Sequence, residues 1–203
     1  MKGKKAFMWM FALILLSIIG FYFDDEISQG FSLIRTDTLT DFFMGITFVS
    51  SEIIIFFFLT SLFLWKEHKR RWILPLWISL SASAVVSFIL KILVQRQRPF
   101  QTGIVSILDI LNKANFNTWN FSFPSFQTMF VFCSVPILAK EFPKFKYVWI
   151  FFAGLVAISR VYFGLHFFSD VLVGGLIGYL IGVGVIELEK EKKFGERIIE
   201  KIF

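Results

Sequence analysis

Three short polar clusters stand at one end of three apolar stretches: Lys91 with Arg98-Pro99, Pro124-Ser125 with Gln127, and Ser159-Arg160 followed by His166 and Asp170. Cationic side chains at membrane depth are costly and usually functional. Lys91 offers a compact charge, and Arg98 offers a planar fork that suits two phosphate oxygens. The spacing of Lys91 and Arg98 is two helical turns, so a continuous helix would put them on one face, with Pro99 helping to end it. Taken alone, such a pair would also fit side chains reaching for headgroups at a helix end. Pro124 suits the first turn of a helix that Ser125 would cap, and a helix N-terminus with free N–H donors is an anion site. His166 and Asp170 stand at i and i+4, so on a helix the carboxylate lies beside the imidazole. There it could fix the ring's tautomer and stabilise its cation. Together the clusters describe a phosphate pocket with an imidazole in it.

These residues need elements to hold them, and the composition says which kind. The 203 residues are 56% hydrophobic and 18% charged, with mean hydropathy +0.71. Soluble domains carry about 25% charged residues. The reading is a single integral membrane domain over residues 1–203, all-α, a six-span transmembrane helical bundle with an outer-face pocket. Spans are expected at about 6–23, 42–65, 72–94, 124–140, 147–164 and 168–187, each long enough for a hydrocarbon core of about 30 Å. The first 25 residues lack a small-x-small cleavage pattern, so the first helix is read as retained. The outer loops fall at about 24–41 and 95–123, and Ile104 to Leu111 could lie along the surface as an amphipathic helix. The stretch from Glu187 to Lys201 reads as a solvated helical tail. A single cysteine, Cys133, excludes an internal disulfide.

Fifteen of the 21 Lys and Arg flank one side: Lys2, Lys4, Lys5, Lys66, Lys69, Arg70, Arg71, Lys140, Lys144, Lys146, Lys190, Lys192, Lys193, Arg197 and Lys201. The positive-inside rule therefore puts both termini in the cytoplasm. Arg35, Lys91, Arg96, Arg98, Lys113 and Arg160 are left for the other side. The net charge of +6 is thus a topology signal and argues against a nucleic-acid partner. A channel is disfavoured because the polar residues gather at one end and do not line the bundle. Glu52, an acid inside the second span, is read as neutral and hydrogen-bonded to neighbouring helices, or as a proton relay.

The order Lys, six residues, Arg-Pro; then Pro-Ser; then Ser-Arg, five residues, His, three residues, Asp resembles the type 2 phosphatidic acid phosphatase family, the lipid-phosphatase branch of the vanadium haloperoxidase superfamily. The resemblance runs from Lys91 to Asp170. It implies a membrane-bound phosphatase without metal or other cofactor, whose partner is a bilayer lipid bearing phosphate or diphosphate. By resemblance Lys91, Arg98 and Arg160 bind the phosphate, and Ser125 and the N–H of Phe126 add hydrogen bonds. His166 attacks phosphorus to give a phosphohistidine, and Asp170 orients it.

The middle motif departs from the family's Pro-Ser-Gly-His and reads Pro-Ser-Phe-Gln. Gln127 stands where a histidine protonates the leaving oxygen, and an amide cannot act as a general acid. His68, the other histidine, falls in a predicted cytoplasmic loop. A diphosphate substrate, such as a polyprenyl diphosphate, needs the least help in leaving and is the expected preference. A weak or inactive homologue that binds or carries anionic lipid headgroups is the alternative.

Overall fold

The computed structural model describes residues 15–106, 108 and 121–202, with side chains to residue 198. Among the described residues every regular element is helical. Residues 15–22 form the described part of α1. Then follow α2 (Asp24–Leu33), α3 (Asp37–Val49), α4 (Glu52–Leu64), α5 (Ile73–Val94), α6 (Phe126–Glu141), α7 (Lys146–Tyr162), α8 (Phe168–Lys192) and α9 (Phe194–Ile202). Among the described residues three helices are long and apolar enough to cross a membrane, α5 with its leading 3-10 turn, α7 with its own, and α8, or four spans if the bent α3–α4 pair counts as one. The all-α membrane architecture agrees with the sequence reading.

The details differ in four places. The expected span 42–65 is broken: α3 and α4 meet at a 58° bend, where the Ser50-Ser51 pair gives the chain no side-chain cap and no helical continuity. The expected span 124–140 is a helix of 16 residues. The outer loop at 24–41 carries a helix, α2. Most of the first expected span, and the 109–111 part of the surface helix, lie outside the described residues. Residues 104–106 are not helical.

α6 is the hub. Gln127 to Val131 and Cys133 to Leu138 are buried, because α5, α7 and α8 surround the helix. A helix apolar on all sides belongs in the centre of a bundle. The α6–α8 contact is the closest, and the reason is steric: a Cβ at Gly174 would lie 2.9 Å from Ser125 O, and one at Gly178 would run into the carbonyl of Met129. Small residues let membrane helices approach backbone to backbone. Phe63, Leu76, Ile137, Ala153 and Val156 fill the core around them. At the tail, Glu189 is buried and accepts Gly195 N–H at 2.9 Å. The tail is therefore folded back rather than fully solvated.

Candidate active site

α7 stops at Tyr162, and Gly164 turns the chain in the left-handed region at φ +68°, which glycine adopts without a Cβ penalty. The turn lets Leu165 N–H and His166 N–H donate to Arg160 O at 3.1 and 3.3 Å. His166 is thereby folded against the end of α7, just before α8 begins. Asp170 sits in the first turn of α8, and its Oδ2 accepts Phe167 N–H at 2.8 Å.

The His166 ring is 5% exposed. Its Nδ1 lies 2.6 Å from Ser122 O. A carbonyl only accepts, so Nδ1 carries the proton and Nε2 keeps its lone pair. Nε2 faces Arg98 Nη1 at 3.4 Å. The expected carboxylate–imidazole hydrogen bond is replaced: His166 precedes the helix, so i,i+4 stacking does not apply, and Asp170 Oδ2 stands 3.9 Å from Nδ1. Asp170 instead accepts from the hydroxyl of Ser122, whose carbonyl holds the ring. Burial, then the charges of Arg98, Lys91 and Arg160, push the imidazole well below its ordinary proton affinity. His166 is consequently neutral, with its free nitrogen turned to a cation.

The cations come together by a route other than the one expected. α5 ends at Val94, and Gln95 takes a left-handed conformation at φ 51°. Lys91 and Arg98 therefore share no helical face, and Pro99 lies beyond the helix end. Arg98 is buried, its N–H held by Gln101 Oε1 at 2.9 Å and its Nη1 donating to Leu165 O at 2.7 Å. Lys91 Nζ donates to Phe121 O. Arg160 donates through Nη1 to Gln127 Oε1 and through Nη2 to Thr47 Oγ1. Its buried Nε has no protein partner among the described residues and is a donor left over for an anion.

Ser125 is the residue before α6, as expected, but its hydroxyl pairs with Thr128 Oγ1 at 2.9 Å and caps nothing. The first-turn N–H groups that begin at Phe126 have no intrahelical partners, as at any helix start. Gln127 is fully engaged. Its amide nitrogen lies 3.2 Å from Thr47 O, 2.9 Å from Ser50 O and 2.6 Å from Ser50 Oγ, while its oxygen takes Arg160. The helix break at Ser50 leaves these carbonyls without helical N–H partners, Thr47 O also accepting the Ser50 hydroxyl at 3.3 Å. Gln127 thus ties Arg160 to the bent α3–α4 pair. Glu52 sits half-buried at the start of α4 on the far side of that break.

Sequence reasoning missed Ser122, Arg96, Asp24, Thr47 and Ser50. Ser122 spends its hydroxyl on Asp170, its carbonyl on His166 and its N–H on Arg96 O at 2.7 Å. Arg96 binds Asp170 Oδ1 at 2.8 Å and Asp24 Oδ2 at 2.7 Å. Its position between Lys91 and Arg98, on the side left with few cations, was the available signal.

Residues 72–194, which hold every one of the sequence-predicted site residues, match the model of the PAP2 superfamily. Phosphatidylglycerophosphatase B of Bacillus subtilis (strain 168) is 29% identical over 212 residues, covering 96% of this chain and 99% of that protein. The crystal structure of a transmembrane PAP2 type phosphatidylglycerolphosphate phosphatase from Bacillus subtilis aligns with TM-score 0.70 and 24% identity, over 91% of this chain and 98% of that one. The crystal structure of Aquifex aeolicus LpxE aligns with TM-score 0.66 and 26% identity, over 80% and 93%. The family model covers well over half of a chain whose fold these solved structures share, and the chain belongs to the PAP2 superfamily.

Proposed function

We propose that this protein is a multi-pass membrane lipid phosphatase with six spans, both termini in the cytoplasm and its pocket at the outer face, working through a phosphohistidine. The observation that carries the reading is the His166 ring: Nδ1–H held by Ser122 O at 2.6 Å and Nε2 3.4 Å from Arg98 Nη1. Neutral, oriented and beside guanidinium groups, that nitrogen is an activated nucleophile. The substrate phosphate is held by Arg98, Arg160 and Lys91, with the Ser125 hydroxyl and the N–H of Phe126 as further donors. The Nε2 lone pair forms the N–P bond as the P–O bond to the leaving group breaks, its electrons departing with that oxygen. Asp170, through Ser122, stabilises the charged ring. A water oxygen then bonds to phosphorus, the P–N pair returns to Nε2, and both of the water's protons leave with inorganic phosphate as dihydrogen phosphate.

Gln127 sets the preference. General acid catalysis is typically worth about 10²–10⁴-fold, and a glutamine whose amide is already bound to Ser50 and Thr47 supplies none. The loss falls hardest on alkyl phosphate esters, whose leaving alkoxide is strongly basic. A lipid diphosphate releases a phosphate monoester with its second pKa at about 6, which leaves unprotonated. A polyprenyl diphosphate is therefore the favoured substrate class over monoesters such as phosphatidic acid or the phosphatidylglycerophosphate named for the Bacillus relative. Inorganic phosphate release from all three in one detergent tests the preference, and equal or faster turnover of either monoester would sink it.

The occupied state of Gln127 also favours a second reading, a binder of anionic lipid headgroups that does not turn them over. The discriminator is acid-labile phosphate on His166 after brief exposure to substrate, with His166→Ala as control. Its appearance excludes the binder.

A further inference from the structure

Behind His166, Asp170 belongs to a charge cluster whose other members, buried Asp24 and half-buried Arg96, the proposed mechanism leaves without a role. Asp24, at the first position of α2, is 2% exposed and Asp170 is fully buried. Arg96 lies between them: Nη2 donates to Asp24 Oδ2 at 2.7 Å, and Nη1 donates to Asp170 Oδ1 and to Ser169 Oγ, each at 2.8 Å. The guanidinium is stacked 3.9 Å over the Phe167 ring. Asp24 also accepts Ser169 N–H at 2.9 Å and the Ser169 hydroxyl, which places a carboxylate at the start of α8. Every heavy member of this set is fixed by at least two bonds.

Two carboxyl groups share one guanidinium, so acids outnumber the cation within the cluster. The cluster meets the ring on its Nδ1 side, where Asp170 Oδ2 stands 3.9 Å away, while Arg98 Nη1 faces Nε2. Its outlet is Asp170 Oδ2, which holds Ser122 and Phe167 N–H, and Ser122 O holds the ring. Asp24 therefore joins the start of α8 to the same guanidinium that holds Asp170.

We propose that Asp24 and Arg96 are positioning residues for His166, acting through Asp170 and Ser122 to lock the Nδ1–H tautomer and to balance the ring's charge once phosphorus is bound. The proposal rests on the phosphatase reading for its kinetic consequence. Asp24 lies outside the residues matched by the family model, so α2 adds a part of the site that the superfamily match does not include.

The test is 15N-histidine NMR of the full chain in detergent, with His68→Asn leaving His166 as the sole imidazole, combined with kinetics on a polyprenyl diphosphate. Asp24→Asn keeps an acceptor for Ser169 N–H and removes the charge together with the oxygen that accepts Arg96 Nη2. It should lose the single Nδ1–H tautomer, and kcat should drop about tenfold or more with KM little changed, as when an orienting partner is removed. Arg96→Gln should do the same, and Arg96→Lys, which keeps charge without the fork, should fall between it and the wild type. A single Nδ1–H tautomer retained in both Asp24→Asn and Arg96→Gln overturns the proposal. If Asp24→Asn does not fold, the Arg96→Gln and Arg96→Lys spectra decide in the same way. The spectrum needs no turnover, so a wild type that releases no phosphate defeats the phosphatase reading while the tautomer still decides this one.

Discussion

At the scale of single residues, the site is held by groups whose partners are far away in sequence. The types and spacing of Lys91, Arg98, Arg160, His166 and Asp170 were readable because each is expensive in an apolar chain and has few structural excuses. Ser122 was not readable: a serine in an outer loop carries no cost that flags it, and its value lies in three bonds to three other segments. Gln127 shows the same limit. Its identity announced a missing acid, but its engagement with Arg160, Thr47 and Ser50 needed coordinates. That engagement modifies the expectation for Gln127→His. An imidazole restores a proton donor, so turnover of phosphatidic acid should rise by about 10²-fold or more while that of the diphosphate changes little. It also offers fewer hydrogen bonds than the amide, so KM should rise for both substrates as Arg160 loosens. Steady-state kcat and KM on the two lipids separate these effects, and an unchanged monoester rate would show that position 127 does not face the leaving oxygen.

The imidazole itself gives a pH prediction. In the proposed mechanism His166 attacks as the neutral form, and its burial beside Arg98 lowers its proton affinity. A lowered value means that protonation, and loss of the nucleophile, occurs at lower pH than the ordinary midpoint of about 6.5. The acid limb of kcat/KM that belongs to the enzyme should therefore lie below that point. Removing one neighbouring positive charge with Arg98→Gln should move the limb upward. Substrate ionisation is common to both enzymes, so the shift between their profiles comes from enzyme groups that feel the Arg98 charge, His166 among them. No shift, or a downward one, would contradict the placement of Arg98 beside the ring.

At the scale of elements, hydropathy located α5, α7 and α8, since a long apolar run in lipid has few alternatives to a helix. It did not locate the bend between α3 and α4, because Ser50 and Ser51 sit inside a run that is apolar on both sides and only their pairing hints at a kink. The bend matters to the site: it frees the Thr47 and Ser50 carbonyls that receive Gln127. The α6–α8 contact was likewise hidden, since glycines in a membrane helix can be either packing surface or filler. The structure separates the two. A Cβ at Gly178 collides with the backbone of α6, whereas one at Gly184 meets nothing within 4 Å. Gly178→Leu should destabilise the bundle by at least about 1–3 kcal/mol, the usual cost of overpacking, and Gly184→Leu should be near neutral. Thermal unfolding in micelles reads both. Because Gly174, four residues earlier on the same face, packs against Ser125, the Gly178 variant should also lose activity before it loses its helices.

At the scale of the whole molecule, the charge distribution and the pocket predict one orientation. The cation-rich segments gather at the Lys66–Arg71, Lys140–Lys146 and Lys190–Lys193 ends of the helices, and His166, Arg98 and Arg160 stand at the opposite end. On the proposed function, positive-inside placement would put the phosphate pocket outside, where a lipid headgroup would reach it from the outer leaflet. The buried, lone Cys133 makes the prediction easy to test by labelling. In a Cys133→Ala background, Gln97→Cys introduces a thiol on an exposed position beside Arg98, and Lys192→Cys introduces one at the exposed end of α8. In intact bacterial cells a membrane-impermeant maleimide should label the first and spare the second until the membrane is permeabilised. The reverse pattern would place the pocket in the cytoplasm. The catalytic chemistry would survive such an inversion, since none of its bonds depends on the side, but the substrate would then have to be a lipid of the inner leaflet.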